Sequence, residues 1–219
     1  MGWRRIDNAR VESFLRDEFQ GVDTVRLMLE GDPAFRIAEY AENEGVDLIM
    51  MPTHGYGPFR RFLLGSVTAK VLHDVNCAAW TSAHAPEKAA PPTGYRRVLC
   101  ALDGTTEDLA LLRWATLFAC ELGGSLKLAH AIPGASLTKG ADIEGERFRT
   151  FLFDSARERF RALQREAGTS VETVQQGGDV ATVVRRVAEQ DKSDLVVIGP
   201  RRHARTVRPH ANESLFHYS

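Results

Sequence analysis

The sequence predicts an α/β fold, an open parallel sheet with helices on both faces, and two observations carry that expectation. Short continuous apolar runs such as "DLVVIG" (194–199) alternate with helical patterns of more than ten residues. Strands of that kind are buried on both faces and joined by right-handed crossovers. The second observation is internal similarity. "GDPAFRIAEYAENEGVDLIMMP" (31–52) lies over "GDVATVVRRVAEQDKSDLVVIG" (178–199) without a gap, at an offset of 147 residues. That offset is the size of a small domain, far beyond a solenoid period.

The elements follow in order. Residues 4–20 read as a helix with Ile6, Val11, Phe14, Leu15 and Phe19 on its buried side, followed by a strand at 23–30. Asp32 is placed to cap a helix over 33–44, and strand 47–52 comes next. A glycine loop, a helix at 63–74 and a strand at 77–81 close the first copy. "TSAHAPEKAAPPTGY" (81–95), rich in Ala and Pro, reads as a linker. Beyond it come strand 97–102, helix 106–122, strand 125–132, helix 145–167, strand 170–176, helix 180–191 capped by Asp179, and strand 194–199. Trp114 and Phe118 read as a core stripe of their helix. The domains expected are residues 1–82, an incomplete first copy; 83–95, the linker; and 96–219, a second copy with early strands. At the repeat offset, counterparts of 98–132 fall before residue 1, and no last strand follows His217.

Bulk properties narrow the function classes. A net charge of −1 over 219 residues, with 43% hydrophobic and 26% charged residues, describes a globular protein with no field favouring nucleic acid or an anionic membrane. No apolar run approaches the roughly 18 residues needed to cross a bilayer. "MGWRRIDNAR" has no apolar core and does not read as a secretory signal, and Ile6 stands where an N-myristoylation motif wants Ser or Thr. Cys77, Cys100 and Cys120 form no CxxC pair and read as small core residues in a reducing compartment. The location expected is therefore cytoplasmic. His203, His210 and His217 lack the tight spacing of a zinc site, and Arg201, Arg202, Arg205 and Arg208 read as a solvated basic tail.

The stretch with most chemical content is "PTHGYGPFRRFLLGS" (52–66), which leaves a strand at its carboxyl end. Ligands of open parallel sheets sit beyond those ends. Glycine there lets an anion approach backbone N–H groups, and the start of the next helix offers amides plus the Ser66 hydroxyl. On spacing alone, a glycine C-cap followed by a serine N-cap explains the pattern equally well.

This stretch resembles the phosphate-binding signature of the universal stress protein family: Gly, two residues, Gly, nine residues, Gly, then Ser or Thr. Gly55, nine intervening residues and Gly65-Ser66 match, while Pro52 replaces the first glycine and removes a backbone donor. "RRVLCALDGTTEDLALLRWATLFACELGGSLKLAHAIPG" (96–134) is similar to the family's opening strand, helix and second strand. The resemblance implies a Rossmann-like sheet of the adenine-nucleotide alpha-hydrolase-like kind that binds ATP or a related adenine nucleotide, with magnesium as a possible companion. It assigns Asp103 to the base and ribose, Ala131 to the adenine pocket, and Gly55, Gly65, Ser66 and Gly199 to phosphate. The second copy's loop, "IGPRRHARTVRPHANES", keeps Gly199 but has Arg202 and Asn212-Glu213 where glycine and Gly-Ser belong.

Phosphate half and base half thus lie in different copies. Either strands 47–52 and 97–102 meet in one composite site, the arrangement expected here, or the chain holds no complete site. The function expected is a non-enzymatic nucleotide-binding stress module that self-associates, with 76–82 the candidate dimer strand. Alternatives are a ligand-free interaction protein of the same fold and a nucleotide hydrolase. As an acid without a nearby Ser, Cys or Lys nucleophile, Asp103 reads as a binding group or a helix N-cap.

Overall fold

A computed structural model describes residues 11–53, 65–82, 94–135 and 143–199, in two compact units. In the first unit, α1 (Pro33–Asn43) is followed by β1 (Leu48–Pro52), α2 (Ser66–Asp74) and β2 (Ala78–Ser82). Asp32 caps α1 by accepting the Phe35 N–H at 2.9 Å, and Pro33 begins the helix, where its missing N–H costs nothing. β1 and β2 pair in parallel, from Leu48 opposite Ala78 to Pro52 opposite Ser82. The two helices pack on each other and bury Ala34, Ala41, Thr68 and Val71. The Thr68 hydroxyl donates to the Pro52 carbonyl at 3.0 Å, fixing the start of α2 to the end of β1.

The second unit holds β3 (Arg97–Ala101), α3 (Asp108–Glu121), β4 (Ser125–Ile132), α4 (Ile143–Ala167), β5 (Glu172–Gly177), α5 (Val180–Asp191) and β6 (Leu195–Ile198). Its four strands are all parallel in the order β5-β4-β3-β6. Under α3 and α4 the sheet buries Cys100, Leu102, Leu112, Ala115, Leu128, Phe160 and Leu163. Under α5 the other face buries Leu99, Ala129, Ala131, Val183 and Val187. Helices therefore cover both faces, as the continuous apolar strands demand. Asp179 caps α5 by accepting the Thr182 N–H at 3.0 Å. The Asp194 carboxylate accepts the Arg96 and Arg97 amides at 3.0 and 2.9 Å, pinning the start of β6 beside β3.

Five expectations are corrected. The helix over 4–20 is absent among its described residues: only 11–12 are helical and 13–21 form turns, with Phe14 65% exposed. No strand forms at 23–30, where Val25, Leu27, Met28 and Leu29 are exposed. The reason is the same for both. In the second unit β5 is held by β4, and α4 rests on α3, β4 and β5; the counterpart of β3 to β4 is not among the described residues of the first unit. Trp114 is exposed and stacks on half-buried Phe118, centroids 4.7 Å apart, while Leu112, Ala115 and Ala119 form the buried stripe of α3. Cys120 is exposed and Cys77 half-buried; Cys100 alone is buried, its thiol pushed up to about 12 by desolvation. Finally, β3 has β4 on one edge and β6 on the other, so strand 47–52 is not its neighbour. β6 is the second copy's own counterpart of β1, and it takes the edge that the composite site required.

Candidate functional site

Three sequence-identified residues come together at the carboxyl end of the second sheet. Ala101 of β3 is in register with Ala129 of β4 and Ile198 of β6. Asp103, two residues past the end of β3, and Ala131, one residue before the end of β4, therefore stand at the same level, with Gly199 just past the end of β6. From β3 the chain winds outward through β4 and β5, then returns to the other side as β6, so winding reverses between β3 and β6. Asp103 sits at that reversal, where α/β sheets open a crevice. Its side chain is exposed, and none of the described residues engages its carboxylate by a hydrogen bond.

The turn that carries Asp103 is built by residues the sequence did not single out. Gly104 is buried at φ +76°, and a Cβ there would lie 2.6 Å from the Phe160 ring. Glycine is thus needed both for the left-handed backbone and for the close approach of α4. Asp108, in the first turn of α3, turns its Oδ2 back to accept the amides of Asp103, Gly104 and Thr105 at 3.0, 2.8 and 3.1 Å. Asp103 does not cap α3: the N-cap position is held by Glu107 without a side-chain bond, and Asp108 instead ties the preceding turn to the helix start. The signal available was a carboxylate five residues past Asp103 at a helix start, where acids favour the positive end of the dipole. These three amides are committed to an internal anion.

His130 lies behind the turn, 6% exposed, with Nδ1 2.9 Å from the Leu102 carbonyl and its ring 4.9 Å from that of Phe160. A carbonyl can only accept, so Nδ1 carries the proton and donates. Burial lowers the imidazole pKa from its usual 6.5, the Leu102 bond opposing this only in part. A depressed histidine pKa means that the unfolded chain binds the extra proton first. Stability is then full above about pH 6.5 and is lost as pH falls toward the folded pKa. The melting temperature of the wild type should therefore drop from pH 7.5 to 5.5 by more than that of His130→Gln, which keeps a donor for Leu102. Equal slopes in a pH series of thermal melts would remove His130 as the cause.

The remaining candidates separate. Ala131 packs in the cluster beneath α5, and a Cβ on Gly199 would meet Leu111 at 2.9 Å, so packing alone accounts for both small residues. Gly65 and Ser66 belong to the other sheet. The Gly65 amide donates to the Thr53 carbonyl at 2.8 Å and is not available to an anion, while the N-cap position of α2 is Gly65 itself, with no side-chain cap, and Ser66 is the first helical residue. The first intrahelical bond of α2 runs from Ala69 to Gly65, so the amides of Ser66, Val67 and Thr68 precede it. Gly55, the second copy's loop beyond Gly199 and the histidine and arginine tail lie outside the described residues. Among the described residues no group of three His, Cys, Asp or Glu side chains is placed to hold a metal, and no helix is long and apolar enough to cross a membrane. A cavity of about 470 Å³ lies elsewhere, between α4 and β5, lined by Phe153, Arg157, Gln164, Thr173 and Gln175 among others.

Comparison with known proteins agrees with this architecture. The model of the universal stress protein family matches residues 4–81 and 94–210. A universal stress protein of Methanocaldococcus jannaschii is 46% identical over 57 residues, 26% of this chain and 34% of its own length. One from Methanothermobacter thermautotrophicus is 49% identical over 51 residues, 23% of this chain and 34% of its own. The chain thus spans about a third of the length of the curated relatives it matches. A crystal structure from Pseudomonas aeruginosa UCBPP-PA14, described as a universal stress protein, superposes with a TM-score of 0.64 at 20% identity, over 98% of this chain and 73% of that one. Another from Archaeoglobus fulgidus gives 0.58 at 21% identity, over 89% and 66%. At such identities these structures speak to the fold.

Proposed function

Because the chain belongs to the universal stress protein family, we propose that it is a non-enzymatic module that binds an adenine nucleotide such as ATP at the carboxyl end of the second sheet. The observation that carries this reading is the exposed Asp103 carboxylate at the reversal between β3 and β6, unengaged among the described residues while its own turn is held rigid from behind by Asp108 and Phe160. A carboxylate so placed accepts hydrogen bonds from ribose hydroxyls or an exocyclic amine. Magnesium, if taken up, would be held chiefly by the phosphates of the nucleotide themselves.

Ligand that binds the folded state alone raises the melting temperature. Adenosine and ATP should both stabilise the wild type, and Asp103→Asn should weaken the shift at least about fivefold in apparent affinity, the loss of about 1 kcal/mol of charge-assisted hydrogen bonding. Loss of ATP turnover in Asp103→Ala, had the wild type shown any, would favour the hydrolase instead. A second reading, a ligand-free interaction protein, is favoured by the engaged Gly65 amide and the filled turn at Asp103–Thr105. It predicts no shift with either ligand.

A further inference from the structure

The cavity of about 470 Å³ in the second unit is formed by α4 and β5, both complete among the described residues. Its strand wall is Val171, Thr173 and Gln175, alternate residues that share one face of the β5 segment. Its helix wall is Phe153, Arg157, Arg161 and Gln164, whose spacing puts them in one stripe along α4. The volume falls within the range of about 300–1,000 Å³ typical of small-molecule sites.

Its polar groups divide into engaged and unengaged. Gln164 is used at both ends: Nε2 donates to the Thr173 hydroxyl at 3.1 Å, and Oε1 accepts the Val171 amide at 2.6 Å. Gln175, two residues beyond Thr173 on the same face, has an Nε2 shut off from solvent and without a hydrogen-bond partner among the described residues. Such a donor is rare and destabilises the folded state, so it marks a place where an acceptor belongs. The charges are also unequal. Arg157 is held by Asp154 at 2.8 Å, while Glu158 is shared by Arg161 at 3.7 Å and Arg165 at 3.4 Å. Three guanidiniums against two carboxylates leave one positive charge in this group, and each guanidinium keeps N–H donors beyond the nitrogen engaged. Half-buried Phe153 and Val171 add apolar surface to the two walls.

We propose that this cavity binds a small organic monoanion, a carboxylate carried on an aromatic body. The carboxylate accepts from Gln175 and from the guanidinium of Arg157 or Arg161, whose planar fork matches its two oxygens. Rotation of the terminal amide of Gln175, a broad torsion, presents Nε2 to the cavity that the side chain lines. The ring lies against Phe153 and Val171. One surplus positive charge suits a carboxylate, whereas a doubly charged phosphate exceeds it and leaves the apolar surface unused. The inference does not rest on the nucleotide reading.

Benzoate is the probe, added to the full chain and followed in ¹⁵N–¹H spectra. The amides of Val171, Thr173 and Gln175 and the Gln175 side-chain NH₂ should shift and saturate, with a Kd of about 1 mM or tighter, the scale for so small a ligand. Inorganic phosphate and benzyl alcohol, which carry the charge or the ring alone, should bind at least about tenfold more weakly. Gln175→Leu removes the orphaned donor, so it should raise the melting temperature of the ligand-free chain and weaken benzoate at least about tenfold. Arg161→Gln should weaken benzoate at least about fivefold. Shifts that do not saturate, or phosphate binding as tightly as benzoate, overturn the proposal. So does benzoate affinity unchanged in both variants, because a water molecule is then the partner of Gln175.

Discussion

Gly104→Ala should destabilise the second unit by about 2–4 kcal/mol, the sum of a left-handed backbone cost of about 1 kcal/mol and an overpacking cost of about 1–3 kcal/mol. The left-handed cost follows from φ +76° at a residue that would gain a side chain. The overpacking follows from Phe160, whose Cε2 and Cδ2 would lie 2.6 and 2.9 Å from the new methyl group. Phe160 is 2% exposed and packed among Cys100, Leu112 and Leu128, so displacing it disturbs that cluster. Urea melts of Gly104→Ala, Phe160→Leu and the double variant separate the two costs. The double variant should recover about 1–2 kcal/mol relative to additivity. A loss below about 1 kcal/mol in the single variant would show that the turn is softer than its geometry implies.

Asp108→Ala should cost about 2 kcal/mol, because one carboxylate oxygen accepts three amides at 2.8 to 3.1 Å. The scale comes from N-caps and from hydrogen bonds to charged groups, tempered by water replacing the carboxylate at the exposed Asp103 and Thr105. Asp108→Asn keeps an acceptor oxygen without the charge and should recover about half of the loss. The ¹⁵N–¹H resonances of residues 103–105 report the change directly: all three should move in the Ala variant and much less in the Asn variant. Movement confined to one amide would mean that the three-way bond is not formed in solution.

The particular successes and failures of sequence reading have one physical origin. Asp32 and Asp179 were legible as caps because an N-cap bonds an amide three residues away, a relation contained in the local sequence. β1 and β6 were legible because each is a short apolar run flanked by Asp and a break. The helix over 4–20, past residue 12 of its described residues, and the strand at 23–30 had comparable local patterns and did not form, since a helix face needs a surface to cover and a strand needs a neighbour to bond. Trp114 had helical spacing like its neighbours, yet the face of α3 turned to the sheet is that of Leu112 and Ala115.

The candidate site divides in the same way. Asp103 was a candidate through the resemblance carried by 96–134, and Ser66 through its place after the glycine loop. The engagement of the Gly65 amide with Thr53 and the return of Asp108 to the Asp103 turn were not, because the direction of an N–H group is set by how two segments pack.

The amino-acid sequence by itself determined the α/β class, the repeat and most element positions, since hydrophobic period, caps and turn residues act over a few residues at a time. Tertiary structure alone decided which edges of β3 are taken, which face of α3 meets the sheet and which turn amides are committed to an internal carboxylate. Those outcomes depend on groups far apart in the chain competing for the same strand edge, the same apolar surface and the same hydrogen bonds.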